Sequence, residues 1–146
     1  MMSEDLHKTL QRIRSEQRLV ASNIEVLQQQ IDMVRLNVMN YRTGLGVLQE
    51  LRTAALDEDV LLNIGGSILV RCRLSSENRV ARDIGSGVRI ESTIEEAESD
   101  LRARVEALEK KLEELIGEYR RHTEYALTLS AMLQQASARA STNPEG

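Results

Sequence analysis

The sequence predicts a mainly α protein with a small β part: two long helices, paired antiparallel as a coiled coil and connected by two β-hairpins. Three observations carry this. Apolar residues in the first and last thirds recur at alternating steps of four and three, averaging the 3.5-residue period of a coiled coil. In the middle third the period switches to two, with glycine turns between the alternating runs. Aromatic residues make up only 2% of the chain, with no Phe or Trp, so a compact aromatic core is excluded and Leu, Ile, Val and Ala must do the packing.

The first helix is expected over 4–54. Leu6, Leu10, Ile13, Val20, Ile24 and Leu27 begin one seam, which Ile31, Val34, Val38, Tyr41, Leu45 and Leu48 continue and only Gln17 interrupts. Gly44 and Gly46 lie inside it, each costing about 1 kcal/mol against Ala. Close packing or simple tolerance accounts for them better than a bend.

The middle segment, 59–91, reads as two hairpins. Val60, Leu62 and Ile64 form a short strand before the turn Gly65-Gly66-Ser67. Ile68, Val70, Cys72 and Leu74 line one face of the next strand, and Leu69, Arg71 and Arg73 the other. After a turn at Ser75-Ser76-Glu77-Asn78, Val80 and Ile84 precede Gly85-Ser86-Gly87, and Val88 and Ile90 follow it. The phrase NIGGSILVR is thus repeated as DIGSGVRIE because each is a hairpin turn with its flanking strands.

The second helix is expected over 93–140. Ser92 with Glu95, or Thr93 with Glu96, supplies the capping pattern at its start. Its seam runs from Ile94 through Leu101, Val105, Leu108, Leu112, Leu115 and Tyr119 to Ala126, Leu129, Leu133, Ala136 and Ala140, interrupted at Glu98 and His122. The polar tail 141–146 reads as disordered. With short strands between them, the helices fold back on each other, placing Leu48 near Leu101 and Leu6 near Ala140. The 146 residues suggest a single domain.

Two hairpins cannot enclose a core alone, and their apolar faces and unpaired edges require partners. Val60, Leu62, Ile64, Ile68, Val70, Cys72, Leu74, Val80, Ile84, Val88 and Ile90 are the expected assembly residues. The other expected contact surface is the far end of the helices, where Leu6, Leu10, Ile13, Leu129, Met132 and Leu133 continue the seams, with Met1 and Met2 adding flexible apolar surface that suits variable partners.

The order helix, two hairpins, helix resembles the α class of prefoldin, in its archaeal type. VLLNIGGSILVRCRL at 60–74 resembles that family's first hairpin, and ENRVARDIGSGVRIESTIEEAESDL at 77–101 its second hairpin and entry into the second helix. Two hairpins rather than one separate the α class from the β class. The resemblance implies an ATP-independent chaperone subunit that holds unfolded clients at coiled-coil tips and passes them to a group II chaperonin. It further implies a cytoplasmic hexamer of two α and four β subunits, in which the hairpins join an oligomeric β-barrel. The competing reading is a structural or tethering coiled coil that joins fixed partners and ignores unfolded protein.

No catalytic, cofactor or metal residues are assigned. The glycine turns run from strand into strand, whereas a phosphate loop runs from strand into helix, and no Lys-Ser or Lys-Thr follows them. Cys72 is the lone cysteine and reads as a small buried hydrophobe. His7 and His122 fall at different heights along the helices, and His122 reads as a seam residue that helps fix register. Interspersed charges with a net of −4 disfavour nucleic-acid binding. No apolar run is long enough for a membrane span, and the charged start MMSEDLHKTLQRIR lacks a signal-peptide core.

Overall fold

A computed structural model describes residues 2–53, 58–74 and 78–142. The elements follow the order α1 (Met2–Thr53), β1 (Asp59–Gly65), β2 (Ile68–Arg73), β3 (Val80–Gly85), β4 (Val88–Ser92) and α2 (Ile94–Thr142). The second helix thus continues through Ser141 and Thr142, two residues expected in the tail. The remaining tail, Met1, residue 54 and the turn at 75–77 lie outside the described residues. The chain divides into two compact units, residues 1–36 with 110–146 and residues 37–109.

The first unit is a stretch of antiparallel helix pair. Ile13 and Val20 of α1 close around Leu129 of α2, with Ile24, Ala126 and Leu133 packed against them. Further along, Leu27 and Ile31 meet Leu115, flanked by Val34, Leu112, Ile116 and Tyr119. Rising numbers on α1 meet falling numbers on α2, as a fold-back requires. Leu129 is 1% exposed. Burial of such a side chain is worth roughly 1.5–3 kcal/mol, so the seam, not helix propensity, holds the two helices together.

Polar interruptions of the seam find different partners. The Gln17 amide donates across to Ser130 Oγ at 3.5 Å. His122 is half-buried, and its Nδ1 donates to the Glu118 carbonyl of its own helix at 2.9 Å. That bond runs along α2 rather than across the pair, so it lends no support to a register role. Register is instead marked by Gln17–Ser130 and by Tyr125, whose hydroxyl donates to Glu16 of α1.

The second unit contains the other helix ends and both hairpins. Arg42 pairs with Glu109, the Arg104 guanidinium lies 5.9 Å from the Tyr41 ring centre, and Arg52 donates to Glu98 at 2.7 Å. The Tyr41 hydroxyl first, then Asp100, hold the Arg104 guanidinium above its ordinary range. A Cβ on Gly44 would meet only the Leu101 methyl at 3.5 Å, an ordinary contact, and one on Gly46 would stand in open space. Close packing therefore does not demand either glycine, and α1 continues through both without a break.

Each hairpin is a separate two-stranded antiparallel sheet. In the first, Val60 pairs with Cys72 and Leu62 with Val70, and the register slips between Asn63 and Gly65. In the second, Val80 pairs with Ser92 and Arg82 with Ile90, with the same slip between Asp83 and Gly85. Both turns carry two left-handed residues after a left-handed glycine: Gly65, Gly66 and Ser67 at φ 103°, 59° and 61°, and Gly85, Ser86 and Gly87 at 109°, 52° and 77°. Two successive positive φ values give the turn whose twist matches a hairpin, and glycine, which takes them without steric cost, fills two of the three left-handed positions in each turn. The preceding Asn63 and Asp83 side chains each accept the Gly65 or Gly85 amide hydrogen at 2.9 Å.

Candidate functional site

The helix ends of the first unit leave a groove of about 750 Å³. Leu6, Leu10 and Ile13 from α1 face Met132, Ala136 and Ala140 from α2 across it. These positions belong to the two seams, but the side chains at the end of α2 shrink from leucine to alanine, so the pair stays apolar without filling. Ala140 is already exposed. Leu6 and Ala140 line the same groove, as the fold-back reading placed them.

The expected contact residues divide here. Leu6, Leu10, Ile13 and Met132 line the groove, with Met132 40% exposed and Ile13 forming buried floor. Leu129 is sealed in the core, and Leu133 packs half-buried against the same cluster. Those two support the groove from beneath and offer it no surface. Met1 lies outside the described residues.

The rim is polar, so apolar periodicity carries no sign of it. Asp5 and His7 stand on the α1 side, Gln135 and Arg139 on the α2 side. Neither the Asp5 carboxylate nor the Arg139 guanidinium makes an ion pair among the described residues. Acid at the first turn of α1 and base at the last turn of α2 each oppose their own helix dipole. Because the helices run antiparallel, those rules put opposite charges on the two walls of one groove. Asp5 and Arg139 each stand immediately before a seam position, Leu6 and Ala140, and that adjacency was the signal available in the sequence.

Near the first core, Glu16 raises the Tyr125 phenol above its ordinary value by accepting its hydroxyl hydrogen bond. Among the described residues no group of His, Cys, Asp or Glu could hold a metal ion, and no helix is long and apolar enough to cross a membrane. Cys72 is half-buried.

The hairpins form the second candidate surface. Ile64, Ile68, Val70, Ile84, Val88 and Ile90 are between 38% and 64% exposed in the single chain. Val60, Leu62, Cys72, Leu74 and Val80 are half-buried, Leu74 lying just past the end of β2. Exposed apolar side chains concentrate toward the turns, away from the strand ends that meet the helices.

Taken together, these features define a class: a two-helix coiled-coil protein whose helices are joined by paired hairpins. The Prefoldin subunit family model matches residues 20–139, and the chain belongs to that family, whose members act as chaperone subunits. Within the family it is of the α type. It is 26% identical over 116 residues to the prefoldin subunit alpha of Methanococcoides burtonii, covering 80% of this chain and 84% of that protein. Prefoldin subunit alpha 2 of Thermococcus kodakarensis is 24% identical over 108 residues, covering 74% and 76%. The crystal structure of the prefoldin beta subunit from Thermococcus strain KS-1 superposes with a TM-score of 0.59 at 18% identity, covering 88% of this chain and 91% of that one, a likeness of fold alone.

Proposed function

We propose that the whole chain works as one prefoldin-type subunit, an ATP-independent chaperone component that holds unfolded proteins at the groove between its helix ends. The observation that carries this reading is the groove itself: an apolar floor left unfilled by small α2 residues, beside an exposed methionine whose flexible side chain suits varied partners. A single groove of this size offers modest affinity, and several arms acting on one client would multiply it. The exposed apolar faces of the hairpins support assembly into a hexamer of two α and four β subunits through an oligomeric β-barrel. Transfer of clients to a group II chaperonin, a cytoplasmic setting and the absence of catalysis complete the reading, on family grounds.

The test is suppression of aggregation of a denatured protein by assembled complexes. Substituting Leu6, Leu10 and Met132 together by serine removes groove surface while leaving Leu129 and Leu133 in the core. Protection should fall, partially because other subunits carry tips of their own, while mass and helicity stay unchanged. Equal protection across small and large clients would favour a tethering coiled coil that ignores unfolded chains.

A further inference from the structure

Between Ser15 and Met33, α1 carries a second apolar repeat, distinct from the seam. Leu19, Val26 and Met33 recur every seven residues and are 62%, 49% and 67% exposed. Seven residues make about two helical turns, so the three stack in one line. Each immediately precedes a seam residue, so the line lies beside the seam and outside the groove. The same strip holds Ser15, Ser22, Asn23, Gln29 and Gln30, all exposed. From Leu19 to Met33 no charged side chain stands within it; Glu16, on the line of Asn23 and Gln30, comes just before that stretch and accepts the Tyr125 hydroxyl hydrogen bond. Charges stand at its edge, where Arg18, Glu25 and Asp32 follow one another along a single rim.

We infer that this strip is a contact surface for a second copy of the chain, packed antiparallel about a two-fold axis at Val26. The charges select both the partner and the direction. A neutral strip desolvates at little cost only against another neutral strip. Parallel pairing would set Lys8 and Arg12, which continue the strip toward the N-terminus, against their own copies. Antiparallel pairing removes that repulsion. It places Leu19 against Met33 of the second copy, Val26 against its own copy, and Ser22 and Asn23 against Gln30 and Gln29 of the second copy. Along the rim, Arg18 falls beside Asp32 of the second copy, and the symmetry makes that pair twice. Neither residue has an ion-pair partner within the chain among the described residues. Glu25 meets its own copy at the solvent edge, the single opposed pair, where screening keeps the cost small. Three apolar layers bury less than the roughly 1,200–2,000 Å² of a stable complex, so the contact forms where chains are already concentrated.

Disulfide trapping of full-length chains carrying Cys72→Ser and one new cysteine tests this. Val26→Cys should dimerise on the order of tenfold faster than Arg35→Cys on the opposite flank, because local concentration sets the cross-linking rate. A mixture of Leu19→Cys and Met33→Cys chains should yield mixed dimers in preference to either homodimer. All four substituted sites on α1 are exposed, so helicity is expected to hold and is checked by circular dichroism. Equal rates for Val26→Cys and Arg35→Cys would overturn the contact. A preference for Leu19→Cys homodimers would overturn the antiparallel direction. Cross-linking that appears only on addition of denatured protein would overturn the second copy as occupant and give the strip to clients.

Discussion

The two hairpins share a turn and a register slip, yet they are built for different surroundings. The second is tied to α2 at three points. Asn78 accepts the Ile94 amide hydrogen at 3.1 Å, Arg82 pairs with Asp100, and Ser92 is buried where β4 passes into the helix. The first pairs Asp59 with Arg73 across its own strands and has no side-chain bond to either helix among the described residues, leaving aside Glu58. Their faces differ as well. Away from Val80 and Ile90, the second hairpin presents Asp83 opposite Arg89 and Ala81 opposite Glu91, a surface suited to water. The first has Val60, Leu62, Val70 and Cys72 on one face but also Leu61 and Leu69 on the other. Leu61 and Leu69 are each 58% exposed in the single chain, opposite Arg71 and Asn63, so this face adds apolar surface that the second hairpin lacks. The comparison teaches that similar turns do not imply equivalent roles: one hairpin is an extension of the helix, the other is free to be held by neighbours.

The largest break in this comparison is a charge on both apolar faces. Val70→Asp with Ile90→Asp should cost several kcal/mol on assembly, because a carboxylate without a partner would be buried. Size-exclusion chromatography should show loss of the complex while helical circular dichroism persists; an intact hexamer carrying both changes would sink the idea.

A finer test separates the second faces. Leu69→Asp should weaken assembly by about 2 kcal/mol, whereas Arg89→Asp at the corresponding place in the second hairpin should cost less than half of that. Titrating subunits against each other by sedimentation gives both numbers, and equal losses would mean that both outer faces are solvated.

The anchor beside the second hairpin comes next in size. Glu98 is 4% exposed, and only its Oε2 is bonded, to Arg52, with Arg102 at 3.7 Å. Arg52→Ala strips the carboxylate of its hydrogen-bonding partner and should cost about 1–3 kcal/mol in thermal unfolding, less than a fully buried pair because Arg52 is itself half exposed. Glu98→Leu should be neutral or stabilising, since it removes both the charge and its unbonded oxygen; a loss as large as that of Arg52→Ala would show the pair to be net favourable.

The smallest effect contrasts two asparagines. Asn78→Ala removes a bond to the first amide of α2 and should cost about 1 kcal/mol. Asn63→Ala loses only a bond within an exposed turn and should stay within about 0.5 kcal/mol. Hydrogen exchange at Ile94 should rise in the first variant alone.

Periodicity made most of this fold legible before any coordinates. The seams were visible because leucines and isoleucines recur at the coiled-coil step, and the hairpins because that step changes to two around paired glycines. Two capping patterns fit the start of α2, Ser92 with Glu95 and Thr93 with Glu96. Thr93 and Glu96 form the cap, with the Glu96 amide donating to Thr93 Oγ1 at 3.1 Å, while the Ser92 hydroxyl is buried without a partner among the described residues. Arg82–Asp100 and Arg52–Glu98 were not legible, because charge pairs 18 and 46 residues apart carry no periodic signal. The groove was legible in its floor and not in its depth. Leu129 and Met132 read alike as apolar residues near an end, and only packing separates a sealed core residue from a wall.

Among the described residues the two hairpins are separate ribbons with no hydrogen bond between them, and each keeps both of its outer strand edges open. In the language of step-growth polymerisation, a chain with one such ribbon is a single monomer unit of given functionality, and a chain with two has twice the functionality. Association of units then depends on stoichiometry as much as on affinity. With two open edges per ribbon, a chain with one ribbon offers two points of attachment and a chain with two offers four, so the ratio of the two kinds sets how many edges a mixture has to pair.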